Sequence, residues 1–125
     1  MAANYRRFTV GPDPFDRTWD VLFQWQQTGI SIRHADTVDV KFRLSTGPRT
    51  EEKVIAFPHP DLLTLTKELG RPLTDAFCLK LAALHLQNMI KTDQDMEKVL
   101  VTVPLPVMRQ LAKELASQAP AGASR

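Results

Sequence analysis

Alternation of apolar and polar positions dominates the first half of the chain. In residues 18–27, "TWDVLFQWQQ", Trp19, Val21, Phe23 and Trp25 fall on one side of a strand, and Asp20, Gln24 and Gln26 on the other, with Leu22 the exception. Thr28-Gly29 supplies a turn, "ISIRH" continues as a second strand, and His34-Ala35-Asp36 interrupts it. "TVDVKFRLS" is the cleanest element: Val38, Val40, Phe42 and Leu44 face in, while Asp39, Lys41 and Arg43 face out. "TGPRTEE" is expected to be a loop around Gly47-Pro48. "KVIAF" does not alternate, so both of its faces are expected to be covered. These runs predict an antiparallel meander with one solvated face, and Phe8–Val10 can add an edge strand.

The period then changes to about 3.6. "FPHP" ends the sheet, Pro60 suits the first helical position, and Asp61 complements the helix N-terminus. Leu62, Leu65 and Leu69 form an apolar stripe that Gly70 and Pro72 terminate. Thr74 is placed to cap a second helix over 75–91, with Asp75 in its first turn. "KVLVTV" is β-branched and short, which predicts a strand. Pro104 and Pro106 open a last helix with Met108, Leu111, Ala112 and Leu115 inward. "SQAPAGASR" has nothing to bury and reads as a disordered tail over 117–125.

The expected fold is α+β: an antiparallel β-meander packed on helices in a two-layer sandwich, order β-β-β-β-α-α-β-α, in one domain over 1–116. The helix over 75–91 is expected to lie across the aromatic face of the sheet.

Charge adds little to this picture. Residues 1–57 carry 8 Lys/Arg against 7 Asp/Glu, and residues 58–125 repeat that balance. Such even mixing lowers the expectation of a nucleic-acid partner, which requires a concentrated basic face. A single cysteine cannot form an internal disulfide and suits a reducing compartment. No segment approaches the roughly 18 apolar residues of a membrane span, and the first residues have no apolar run of signal-peptide length. A cytoplasmic protein with no membrane association is the expectation.

Between Ala76 and Ile90, 11 of 15 residues are apolar, the pattern of a buried helix. Cys78 and His85 lie opposite Lys80, Gln87 and Lys91, on the face expected to be deepest. Seven residues apart, they are separated by roughly 10 Å along the axis, too far for a thiolate–imidazole dyad. His34, His59 and either Cys78 or His85 show no metal-ligand spacing in sequence. Cys78 is read first as a core residue. His85 is the better ligand lead, because a buried imidazole needs partners for both nitrogens.

Other features carry weaker chemistry. Trp19 and Trp25 could stack a ligand, though in-register aromatics on a strand more often fill a core. Pro58-His59-Pro60 is a rigid turn whose imidazole could bind a ligand or cap the following helix. "TDQDMEK" lacks the glycine and terminal glutamate of a calcium loop and reads as a solvated turn. The five glycines are scattered, so no phosphate-cradling loop exists.

"KVLVTVPLPVMRQLAKELA" resembles the first half of a ribbon-helix-helix repressor, a family in which two chains pair their strands into a DNA-reading ribbon. The resemblance covers about 19 residues. It lacks the family's second helix, and only Lys98 and Thr102 could read bases.

No catalytic residue, metal site or cofactor is expected. The remaining ligand-binding candidates are His85, His59, Cys78 and Trp25. The sequence favours a non-catalytic interaction or self-assembly module, a homo-oligomer or the partner of another protein. Behind it stand a small-ligand binder or enzyme using a buried histidine, and a ribbon-helix-helix-like DNA binder.

Overall fold

A computed structural model describes residues 5–29 and 37–118. Five strands and three helices follow one another as β1 (Arg7–Val10), β2 (Trp19–Gly29), β3 (Thr37–Thr46), β4 (Arg49–Pro58), α1 (His59–Leu69), α2 (Asp75–Thr92), β5 (Leu100–Thr102) and α3 (Leu105–Gln118). The strands form one sheet in the order β1-β2-β3-β4-β5. The first four pair antiparallel, whereas β5 pairs with β4 in parallel. Parallel pairing needs a long crossover, and α1 and α2 provide it. The fold is therefore mixed α+β, with the order of elements the sequence predicts. The fourth strand is reached differently, however. Arg7–Val10 supplies it at the edge, while the expected strand "ISIRH", with His34, lies outside the described residues, as does the tail beyond Gln118.

The inward row of β3, namely Val38, Val40, Phe42 and Leu44, is buried as its alternation predicts. Phe8 and Phe23 meet Phe42 edge-on, with ring centroids 6.3 and 6.1 Å away. Across from this face lie Phe77, Leu81, Leu84 and Leu86 of α2, with Leu62 and Leu65 of α1 and Met108 and Leu111 of α3. Thr74 caps α2 by accepting from the Phe77 N–H at 3.1 Å, and Gly70 ends α1 at φ 66°, a left-handed position that glycine adopts without strain.

Thr28-Gly29 continues β2, paired with Val38 and Thr37, instead of turning, and four further details depart from the sequence reading. The hairpin between β3 and β4 turns at Gly47-Pro48 alone, so Arg49–Glu52 continue the strand rather than forming a loop. Their polarity reflects solvent contact along a paired strand: Glu52 lies beside Lys41 and Arg43, at 3.0 and 3.7 Å. Second, the register slips between Phe23 and Trp25, leaving Gln24 as an extra residue. Trp25 therefore leaves the inward row and pairs with Lys41, while Gln26 takes the inward register opposite Val40. Third, Leu69 is largely exposed, and Thr66 fills the inward position, its hydroxyl donating to the Leu62 carbonyl at 3.0 Å. Fourth, α1 begins at His59, with Pro60 next, and has no side-chain cap.

Candidate functional site

Among the described residues, the helices pack against one side of the sheet and leave the other uncovered, although Ala56 on that side is itself buried. Strand register assigns its residues to rows that run across the strands. One row is Arg7, Leu22, Arg43 and Glu52; the next is Trp25, Lys41, Val54 and Leu100; a third is Gln27, Asp39, Ala56 and Thr102. Leu22, Trp25 and Leu100 are 41%, 38% and 56% exposed, large apolar groups gathered on one face rather than scattered. β5 is the edge strand on this side, and Val99 just before it is exposed as well.

Charges bind this apolar row together. The Lys41 ammonium sits 5.7 Å from the centre of the Trp25 ring and 3.0 Å from a Glu52 oxygen. The hydrogen bond and positive charge of Lys41 hold the Glu52 carboxyl below its usual range, with Arg43 assisting. Among the described strand residues the charges of this face balance: Arg7, Lys41 and Arg43 share it with Asp20, Asp39 and Glu52.

Two hollows are also present, the larger sharing Trp25 with this face. The larger, about 620 Å³, lies between the start of α2 and the bulged part of β2, where Tyr5, Phe23 and Trp25 are rimmed by Arg6, Lys80 and Asp75. The Arg6 guanidinium lies 5.2 Å from the Phe23 ring centre and the Lys80 ammonium 5.9 Å from that of Tyr5. A flat apolar group could stack there. The second, about 360 Å³, is framed by Phe15, Arg17, Arg49, Glu51, Asp93 and Glu97. Arg17 already binds Asp13 at 2.8 Å and Arg49 binds Glu51 at 2.6 Å, so its cations are engaged within the chain.

Of the sequence candidates, Trp25 lines the larger hollow and Trp19 the smaller, whereas His59, His85 and Cys78 line neither. Cys78 is buried, and burial, helped by the Asp75 charge, pushes its thiol up to about 11. A thiol held protonated this way is a poor nucleophile. His85 is only half-buried, not on the deepest face as its position on the helix suggested, and one charge acting on it is that of Asp95. Burial lowers its pKa while Asp95 raises it, and burial dominates. His59 sits half-buried at the first position of α1, and His34 lies outside the described residues. Among the described residues, His59, His85 and Cys78 therefore do not form one group. No group of three or more His, Cys, Asp or Glu able to hold a metal exists among the described residues. No described helix is long and apolar enough to cross a membrane.

Two polar groups escaped the sequence reading. Lys53 occupies the inward register opposite Phe42, is 2% exposed, and donates to the carbonyls of Met96 and Lys98, both at 2.7 Å. Burial lowers its pKa against the opposing charges of Glu51 and Glu97. Its donors are occupied in fixing the 93–98 loop. Asp13 gathers the N–H groups of Phe15 and Arg17, the Arg17 guanidinium and the Trp19 indole within 2.8–3.0 Å. Both are structural anchors, because their polar atoms are satisfied inside the chain.

No protein-family model, curated protein or solved structure matches this chain.

Proposed function

We propose that this protein is a non-catalytic interaction module whose working surface is the uncovered sheet face. The observation that carries the reading is the Trp25–Lys41–Val54–Leu100 row, an apolar stripe with Leu22 beside it, set among paired charges. Aromatic and aliphatic groups ringed by polar ones resemble the centre and rim of a protein interface. The charge balance of the described strand positions favours a protein partner over a nucleic acid, whose binding draws on an excess of Lys and Arg. The ribbon of a ribbon-helix-helix dimer is a less natural use of β5, since that strand already pairs with β4.

The test is a double substitution, Trp25→Ser with Leu100→Ser. The variant should keep its circular dichroism spectrum and lose the higher-mass species that the unsubstituted chain forms, alone or in an extract of its source cells. Association that survives both substitutions, or an unsubstituted chain that associates with nothing, overturns the reading.

A second reading is favoured by the larger hollow. Its three rings, with two cations against the single carboxylate of Asp75, suit a small planar anion. Quenching by benzoate of the fluorescence excited at about 295 nm, absent in Trp25→Phe, would support it, and an unchanged spectrum at millimolar concentration would refute it.

A further inference from the structure

We infer that the partner on this face is a second copy of the same chain, with β3 lying on β3 in the opposite direction and a twofold axis along the Trp25–Lys41–Val54–Leu100 row. This rests on the interaction-module reading and specifies its partner.

The order of charges along β3 carries the inference. Lys41 lies at the middle, with Arg43 two residues to one side and Asp39 two residues to the other, all three in the outward register. A twofold axis through the Lys41 row exchanges those flanks. Arg43 then stands over the partner's Asp39, and Asp39 under the partner's Arg43, giving two equivalent ion pairs. A twofold axis along β3 itself would set Arg43 on the partner's Arg43. The charge order thus favours one of the two ways in which identical sheet faces can stack.

The other features of the face agree. Lys41 lies on the axis and would meet its own copy, but Glu52 at 3.0 Å already pairs it within each chain. With three basic and three acidic residues among the described strand positions, these positions carry no net charge that would hold two copies apart. Packed sheets lie about 10 Å apart, a gap that Trp25, Leu22 and Leu100 side chains from both copies can fill. The five strands span about 20 Å and the outward rows roughly 30 Å, so stacking would bury about 600 Å² per copy, or about 1,200 Å² in total. That is the lower limit of stable specific interfaces, and it fits a dimer that forms at micromolar concentration.

Sedimentation velocity of the full chain at 10–100 µM tests this, the range being about that expected for so small an interface. The expected mass is twice 14.1 kDa. Asp39→Arg places Arg over Arg in both pairs and should weaken the dimer about tenfold or more; Arg43→Asp should do the same by placing Asp over Asp. Mixing these two variants should restore dimers, because every pair across a mixed interface is then Arg over Asp. The double variant carrying both substitutions should also dimerise, with the pairs reversed. A misfolded variant cannot produce either rescue, so recovery separates charge pairing from loss of structure. A monomer at 100 µM, a dimer indifferent to Asp39→Arg, or failure of both rescues overturns the inference. Loss of the self-pairing alone leaves the interaction-module reading to the Trp25/Leu100 experiment, which also registers other proteins.

Discussion

Lys53 Nζ lies 2.7 Å from the carbonyl oxygen of Met96, 43 residues further along the chain, and the side chain reaching it is 2% exposed. A second bond of the same length goes to the Lys98 carbonyl. This one ammonium ties the loop that precedes β5 to the inner side of β4. The loop needs such a tie, because Asp93 and Asp95 both adopt left-handed backbone, at φ 56° and 58°, where neither has glycine's freedom. Lys53→Met should leave both carbonyls without their donor and lower stability by about 2 kcal/mol. Urea midpoints measure the loss, and amide exchange should quicken first in residues 93–98. A methionine variant as stable as the parent would show that water replaces the ammonium freely.

Asp13 should govern the acid limb of stability. Burial acts to raise its pKa, but hydrogen bonds from the Trp19 indole, the Arg17 and Phe15 N–H groups and the Arg17 side chain hold it down to about 2. In the unfolded chain the group titrates near 3.8. Between those values the unfolded chain binds more protons, so stability rises with pH. The contribution is complete above 3.8 and is lost as pH falls towards 2. Asp13→Asn should lower the melting temperature at pH 7 and differ little from the parent near pH 2. Parallel melting curves across that window would count against the assigned hydrogen bonds.

The elements most legible in the sequence were those with local causes. Thr74 before Asp75, Gly70 before Pro72, and the strict alternation of residues 37–45 each depend on neighbours within a few residues. The bulge was hidden because Trp25 continues the alternation of Trp19, Val21 and Phe23 perfectly. Only the pairing with β3 reveals that Gln24 is extra. Lys53 was hidden for a related reason. A lysine reads as a surface residue until the hairpin register sets it opposite Phe42 and the distant loop supplies its carbonyls. The sheet face itself was half legible. Lys41 and Arg43 pointed outward from sequence, whereas the row joining Trp25 to Leu100 needs β5 to be placed beside β4.

Glycine at position 11 should be harder to replace than glycine at position 47. Gly11 has φ 152°, and a methyl group there would come within 2.8 Å of both the Arg17 carbonyl oxygen and the Thr18 Cα, two backbone atoms that cannot swing aside. Gly47 has φ 57° with open space around it. Gly47→Ala should cost about 1 kcal/mol for the left-handed backbone alone. Gly11→Ala should cost more, about 3 kcal/mol, because a steric clash is added to backbone strain. Equal urea midpoints for the two variants would mean that the loop around Asp13 yields.

Cys78 should be silent to thiol reagents in the folded protein. It is 2% exposed, and its pKa of about 11 leaves almost no thiolate at neutral pH. Labelling by a disulfide reagent should therefore follow global unfolding, its rate rising with urea in step with the loss of circular dichroism. Rapid labelling in buffer would place α2 differently from the packing described above.

His85 should make the protein less stable as pH falls below neutrality. Burial disfavours the imidazolium and lowers its pKa from 6.5, while the charge of Asp95 works in the other direction and is outweighed. The folded pKa therefore lies below the unfolded one. Between the two, the unfolded chain binds more protons, and stability rises with pH. The contribution is fully present above 6.5 and is lost as pH falls through the folded value. His85→Gln should flatten urea midpoints measured from pH 5 to 7. Asp95→Asn provides the opposing control. Removing the carboxylate takes away a charge that favours imidazolium, so the folded pKa should fall further and the pH dependence grow steeper. If Asp95→Asn instead flattens the curve, the two groups form an ion pair that outweighs burial, and His85 would stabilise the fold as its cation.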